Sequence, residues 1–251
     1  MTLQEFFEQN HRIAMGFSGG VDSSYLLYAA RKYGADVKAY YMKTAFQPQF
    51  EYDDAMRLAG DIGAEVTVLS EDILQFPDVT ANPEDRCYYC KNKIFGAILA
   101  AAKRDGYSVI IDGTNASDDA DDRPGMKALK EMKVLSPLRL CGLTKDDVRA
   151  LSKEAGLFTW DKPSYACLAT RIPSGEEITA ENLNRVERSE DVLRQMGFTD
   201  LRVRKRGESA LIQVPEGQMK TLLEKKEQIL AGIEPWFQTV FLDLKGRVAN
   251  D

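Results

Sequence analysis

Histidine is nearly absent from this 251-residue chain: His11 is the only one. It precedes the first apolar run and has no metal-ligand spacing to any cysteine, so a histidine-held zinc is excluded and His11 reads as a surface residue. No run of 18 apolar residues occurs, which excludes a transmembrane helix. The start, Met1 to Phe7, lacks an apolar h-region and a small-residue cleavage site, which predicts no export and a cytoplasmic location. Positive charge is not in excess either. Lys and Arg number 33 against 39 Asp and Glu, giving a net charge of -6 and a pI near 5.1. That balance argues against a broad basic surface, and so against DNA or long RNA as a partner. Internal repeats and low-complexity segments are missing. Cysteine is scarce, at four residues, and in a reducing compartment four cysteines point to metal or sulfur chemistry rather than to a disulfide frame.

What is present is a soluble, globular composition, 44% hydrophobic and 29% charged, at a length that suits one large and one small lobe. Nearly unbroken apolar runs at Arg12 to Phe17, Val37 to Met42, Val66 to Leu69 and Val109 to Asp112 predict buried strands. Helix-period segments at Asp22 to Tyr33, Tyr52 to Ile62 and Lys91 to Arg104 alternate with them, each followed by a glycine stop at Gly34, Gly63 or Gly106. The expectation is an α/β fold with a mostly parallel sheet, whose ligands bind beyond the carboxyl ends of the strands. Leu143 to Ala155 adds a helix with Thr144 as N-cap and Asp146 and Asp147 in its first turn. Pro163, Ser164, Pro173, Ser174 and Gly175 punctuate an irregular stretch, which places a domain boundary near Pro173, with domains at 1–172 and 173–251. The second is a small α+β lobe, with helices near Thr179 to Met196 and Gly217 to Leu230 and strands near Leu201 to Lys205, Ala210 to Val214 and Thr239 to Leu244.

The first strand runs straight into Ser18-Gly19-Gly20-Val21-Asp22-Ser23-Ser24 and then into a helix. Two glycines let backbone amides close on an anion, the helix start adds partial positive charge, and the hydroxyls of Ser18, Ser23 and Ser24 are further donors. The Walker lysine is missing, and so is the GxGxxG dinucleotide turn. The segment resembles the SGGxDS signature of PP-loop ATP pyrophosphatases, which implies that it grips the pyrophosphate of ATP while the substrate is adenylated. By the same resemblance the end of the second strand, Tyr41-Met42-Lys43, lies near adenine, although Met42 could equally be core packing. A second loop, Asp112-Gly113-Thr114-Asn115-Ala116-Ser117-Asp118, resembles segments that flank the nucleotide in that superfamily. Gly113 is assigned to ATP, and Asp22 and Asp118 are candidate Mg2+ ligands, with Asp121, Asp122 and Arg123 as further polar groups. The alternative for this stretch is a solvated acidic loop.

Arg86-Cys87-Tyr88-Tyr89-Cys90-Lys91 contains a CxxC pair, which alone allows zinc, iron-sulfur ligation, dithiol redox chemistry or no role. Cys167 lies in a loop flanked by Lys162 and Arg171, a setting that favours a thiolate. Cys141, after Leu138-Arg139-Leu140, reads as a small buried hydrophobe, or as a fourth ligand if the site is zinc. Strand alternation puts Arg202, Arg204 and Arg206 on one face, where guanidiniums would suit phosphate and carboxylates, unless they merely solvate an edge strand. Arg171 is an independent anion-binding candidate.

In order, SGGVDSS, RCYYCK, DGTN, DDRPG, CLATRIPSG and LRVR resemble the LarE family of PP-loop sulfur transferases over residues 18–204. The resemblance implies adenylation of a carboxylate of a pyridinium biscarboxylate mononucleotide and its conversion to a thiocarboxylate. In one branch the cysteine matching Cys167 gives up its own sulfur and is left as dehydroalanine. In the other, cysteines matching Cys87, Cys90 and Cys167 hold a 4Fe-4S cluster whose open iron carries sulfide. This sequence has all three and resembles the cluster branch. The implied cofactors are ATP, Mg2+ and the 4Fe-4S cluster, and the implied partners are the mononucleotide and sulfide or another sulfur source. Arg171, Arg202 and Arg204 become its substrate-binding residues, and a homo-oligomer is expected. The rival reading is a tRNA-thiolating PP-loop enzyme, whose usual zinc motifs and RNA-binding modules are not visible here. An ammonia-using ligase would leave the three cysteines without a purpose, and a nucleotide-sensing module would leave out the chemistry altogether.

Overall fold

A computed structural model describes residues 1–118 and 124–247. In chain order the elements begin with α1 (Leu3–Gln9), β1 (Arg12–Gly16), α2 (Val21–Lys32), β2 (Asp36–Lys43), α3 (Gln49–Asp61) and β3 (Val66–Ser70). They continue with α4 (Pro77–Thr80), α5 (Arg86–Arg104), β4 (Val109–Ile111), α6 (Pro124–Glu131), α7 (Pro137–Leu140) and α8 (Lys145–Glu154). The last are α9 (Ala180–Gln195), β5 (Arg202–Arg206), β6 (Ser209–Gln213), α10 (Glu216–Glu224), α11 (Lys226–Ile233) and β7 (Thr239–Leu242). The chain forms two compact units, residues 1–73 with 85–162, and residues 74–84 with 163–251.

In the first unit the four strands form a parallel sheet in the order β3-β2-β1-β4. Alternation along each strand sends neighbours to opposite faces. Ile13, Met15 and Tyr41 therefore pack with Phe7, Leu26, Leu58 and Val148 on one side, while Ala14, Tyr40 and Met42 pack with Phe95, Ile98 and Leu129 on the other. Both faces are covered by helices, which is why the strands read as continuous apolar runs rather than as alternating ones. A parallel bridge between Ile111 and Leu135 extends the sheet edge beyond what the apolar pattern predicts. The second difference is at α5, which starts at Arg86 rather than Lys91. No glycine or proline lies between Pro83 and Phe95, so the periodicity of Phe95, Ile98 and Ala102 propagates backward and takes the CxxC pair into the helix.

The second unit contains the sheet β5-β6-β7. β5 and β6 form a hairpin whose turn places Gly207 at φ 57°, and β7 returns parallel to β6 after α10 and α11. The helix expected over Gly217 to Leu230 is thus two helices broken at Lys225, whose ammonium donates to the Met196 carbonyl at 2.9 Å. The unit boundary falls at 162/163, ten residues before the sequence division, and residues 74–84 join from a distance in sequence. Asn82 explains that excursion. It is fully buried in the left-handed region at φ 53°, its amide donates to the Pro173 carbonyl at 2.7 Å, and its own carbonyl accepts from Gly175 N. Asparagine tolerates that conformation, and its side chain then stitches two loops that periodicity cannot relate.

Candidate active site

The phosphate loop leaves β1 and enters α2 at the carboxyl edge of the sheet, with Gly20 as the N-cap residue. The loop is braced internally. The Ser18 and Ser23 hydroxyls lie 3.1 Å apart, Ser23 Oγ donates to the Gly20 carbonyl at 3.2 Å, and Ser24 N bonds the same carbonyl at 2.9 Å. The two glycines differ in kind. Gly19 has φ 75°, and a Cβ there would lie 2.5 Å from the Ala55 Cβ on α3, so the fold itself demands glycine. Gly20 has an ordinary φ of -74°, and the nearest atom to a Cβ there would be Ser18 Oγ at 3.6 Å. The chain has room for a side chain at Gly20, and what that glycine leaves open is space beside the first amides of α2. Ser24 corrects an expectation: its hydroxyl is wholly buried and faces no solvent, so only its amide serves the loop. Met42, 6% exposed, is enclosed in the core on the α5 side, so packing accounts for its side chain.

The second loop closes on the first. A Cβ at Gly113 would meet Ser23 N at 2.9 Å, so this glycine is explained by backbone packing on the start of α2 rather than by a ligand. Asp112 is buried and satisfied by the Thr114 and Ser136 hydroxyls at 2.6 and 2.7 Å, which fixes the turn. Asn115 donates to Asp22 Oδ1 at 3.2 Å, and Asp118 Oδ2 accepts from Asn115 N at 3.0 Å. The other oxygen of Asp22 pairs with the Lys145 ammonium at 2.5 Å. Both candidate Mg2+ carboxylates are therefore engaged by protein donors. Lys145 was not legible as a site residue, because 123 residues separate it from its partner and it reads as an ordinary first-turn lysine. Asp121, Asp122 and Arg123 lie outside the described residues.

Cys87 and Cys90 stand one turn apart at the start of α5, so they share a helix face at the end that favours thiolate and anions. None of the four cysteines is disulfide-bonded. Cys87 and Cys90 belong to the first unit and Cys167 to the second. Among the described residues no three His, Cys, Asp or Glu side chains stand together as a metal-ligand group. Cys141 caps α7 and packs on the core of the first unit, and burial pushes its thiol up, as a small hydrophobe requires.

Within the second unit the arginines do something other than expected. Arg171 is 1% exposed and lies against Glu190, with Nε donating to Oε1 at 2.7 Å. Its Nη1 donates to the Ala166 carbonyl at 3.0 Å and to the Thr170 hydroxyl at 2.7 Å. Arg202, 3% exposed, donates to the Ser164 carbonyl at 2.6 Å, and Arg204 donates to the Thr170 carbonyl at 2.8 Å. Three guanidiniums thus hold the backbone of the loop that carries Cys167. Arg171 cannot present itself to a substrate, because its donors are turned inward and the residue is enclosed. Arg202 is enclosed likewise, and only Arg204 is partly exposed, with Arg206 beyond it at the surface. Burial, then the Arg171 and Arg247 charges, lowers the Arg202 guanidinium to about 10. Burial, then Arg171, also lowers that of Arg204. Carboxylates offset part of this charge, Glu190 beside Arg171 and Asp200 beside Arg247 at 3.0 Å.

Residues 11–73 match the tRNA methyl transferase HUP domain family. An uncharacterised protein of Synechocystis is 37% identical over 98% of this chain and 93% of its own length. Pyridinium-3,5-bisthiocarboxylic acid mononucleotide synthase of Lactiplantibacillus plantarum is 33% identical over 98% of this chain and 90% of its own length. The tRNA-specific 2-thiouridylase MnmA of Thermotoga petrophila is 25% identical over 58% of this chain and 52% of its own length. Full-length likeness to the first two, set against partial likeness to the third, joins with the phosphate loop and its helix to give one conclusion: this chain belongs to the LarE family of PP-loop, ATP-using sulfur transferases.

Proposed function

We propose that this chain uses ATP and Mg2+ to adenylate a carboxylate of pyridinium-3,5-biscarboxylic acid mononucleotide and then converts the acyl-adenylate to a thiocarboxylate. The observation that carries the reading is Gly20, a glycine that the fold does not need, at the mouth of a helix start that can receive phosphate. In the first step a substrate carboxylate oxygen attacks the α-phosphorus and pyrophosphate leaves. The amides of the phosphate loop stabilise the charge that develops on the departing phosphates. In the second step sulfur adds to the acyl carbon and AMP leaves.

Cys87, Cys90 and Cys167 are the thiols that would hold a 4Fe-4S cluster. What supports this reading is the ligand type alone: thiols are what an iron-sulfur centre takes, and two of the three stand at a helix start. When bound, a cluster with three protein ligands supplies one iron open to exogenous sulfide. The arginine-braced loop presets Cys167, and Arg204 with Arg206 offers charge to the phosphate of the mononucleotide. Reduced thiols and these substrates suit a cytoplasmic enzyme.

Pyrophosphate release tests the reading. The pyridinium mononucleotide should stimulate it strongly; stimulation by tRNA instead would move the chain to the tRNA-thiolating enzymes, which its partial likeness to 2-thiouridylases makes the second reading. Alanine at Cys87, Cys90 or Cys167 should lose cluster iron and sulfur transfer, whereas Cys141→Ala keeps both. Intact Cys167 by mass spectrometry after turnover supports the cluster route, and stoichiometric dehydroalanine there supports the sacrificial one. Arg204→Ala, which removes one charge-assisted donor, should weaken mononucleotide binding about 10–100-fold with ATP binding unchanged. Equal losses for both ligands in calorimetry would assign Arg204 to the stability of its unit instead.

A further inference from the structure

The last turns of α2 and α3 and the chain that leaves α8 line a cavity of 590 Å³ in the first unit, a size within the roughly 300–1,000 Å³ of small-molecule sites. It lies at the amino edge of the sheet, about 15 Å from the phosphate loop at the 1.5 Å rise of each residue along α2. Its apolar lining includes the buried Leu58 and Leu157 and the aromatic residues Tyr28 and Phe158. Arg31, Lys32 and Arg57 stand at it against one carboxylate, Asp61. Arg57 meets Asp61 only at 3.8 Å with both side chains exposed, a weak contact. Among the described residues Arg31 and Lys32 form no ion pair. Cations in a last turn commonly serve the helix end, but here the backbone fills that role. Gly34 N bonds the Arg31 carbonyl at 3.0 Å, Ala64 N the Ala59 carbonyl at 2.8 Å and Leu157 N the Ser152 carbonyl at 3.0 Å.

We propose that this cavity is a second ligand site, for a small organic anion made of a planar ring that carries a phosphate. Guanidiniums and an ammonium recognise the phosphate, and the aromatic and leucine side chains take the ring. Two of the cations are held in place beforehand. The Arg57 guanidinium lies 4.2 Å from the Phe158 ring centroid, and the Lys32 ammonium lies 5.9 and 5.8 Å from those of Tyr28 and Tyr33. Less side-chain freedom is then lost when a ligand arrives. An uncharged apolar ligand would leave the cations without a partner, and an inorganic anion would leave the apolar lining in water. The site shares no residue with the phosphate loop and does not depend on the reading of that loop.

Methyl NMR of the full chain tests this, with 1-naphthyl phosphate as the probe. The ring current of the naphthalene should shift the methyl signals of Leu58, Ile62 and Leu157, which line the cavity, along a saturable curve. The double variant Arg31→Ala with Lys32→Ala changes two exposed residues, so it should fold and keep its pyrophosphate release. It should bind the probe about tenfold or more weakly, the loss expected for charge-assisted contacts. 1-Naphthol, which has the ring without the phosphate, should bind about tenfold or more weakly to the unsubstituted chain for the same reason. Equal binding of the naphthol, or equal binding of the phosphate by the double variant, would overturn the proposal and leave an apolar pocket with idle charges. Shifts confined to Val21 at the phosphate loop, or shifts at Leu58, Ile62 and Leu157 that do not saturate, would overturn it as well.

Discussion

A Gly20→Val chain should fold normally and lose ATP-dependent adenylation by about a hundredfold or more, the scale expected when a reacting group is displaced by about an ångström. The fold tolerates the change because Gly20 has an ordinary extended backbone and its Cβ direction meets only Ser18 Oγ, at 3.6 Å. What the added side chain occupies is the approach to the amides at the start of α2. Gly19→Ala is the control that behaves oppositely. Its φ of 75° and the 2.5 Å overlap with the Ala55 Cβ affect the fold whether or not a ligand is bound. A loss of about 2–5 kcal/mol in stability is the expected order, from left-handed strain plus overpacking against a helix backbone. Denaturant unfolding separates the two, and a folded Gly20→Val chain with unimpaired pyrophosphate release would remove the phosphate site from this loop.

Glu190→Ala should destabilise the second unit by about 3–5 kcal/mol, the scale for removing one partner of a buried ion pair. Glu190 is fully buried and serves three donors: Arg171 at 2.7 Å, the Tyr165 hydroxyl at 2.5 Å and Val203 N at 2.9 Å. Its loss leaves the Arg171 charge enclosed without a carboxylate and frees the brace on the Ala166 carbonyl beside Cys167. Sulfur transfer should fall with the order of that loop. Glu190→Gln keeps an acceptor for Val203 N and the volume, and should be the milder variant. The two tryptophans provide separate probes, Trp160 lying in the first unit and Trp236 in the second. Trp236 fluorescence should report earlier unfolding in urea while ATP binding is retained. Parallel loss of both units' signals at the same urea concentration would contradict a local role for Glu190.

The contrast between glycines and arginines shows where sequence reading succeeds. SGGVDSS carries its meaning locally, since strand, loop and helix follow within one short segment and the chemistry of amides at a helix start needs no distant partner. The α/β alternation is equally local, because each buried strand declares itself by its apolar run and each helix by its period. The strand LRVRKR was legible as a strand for the same reason, and its arginines as a positive set.

What those arginines do was decided by packing. Alternation along β5 says which side chains share a face but not what faces them, and the Ser164 and Thr170 carbonyls lie 38 and 34 positions from the β5 arginines that donate to them, and Glu190 lies 19 from Arg171. The same holds for Lys145 on Asp22, for residues 74–84 joining the second unit through Asn82, and for Gly113 closing on Ser23. By itself the sequence determined the family's phosphate loop, the alternation of the four strands with α2, α3 and α5 in the first unit, and the inventory of thiols. The tertiary structure alone decided which charges are paired inside and which remain for a ligand, because a charged side chain is buried only where a partner of high sequence separation meets it, and no local pattern encodes that meeting.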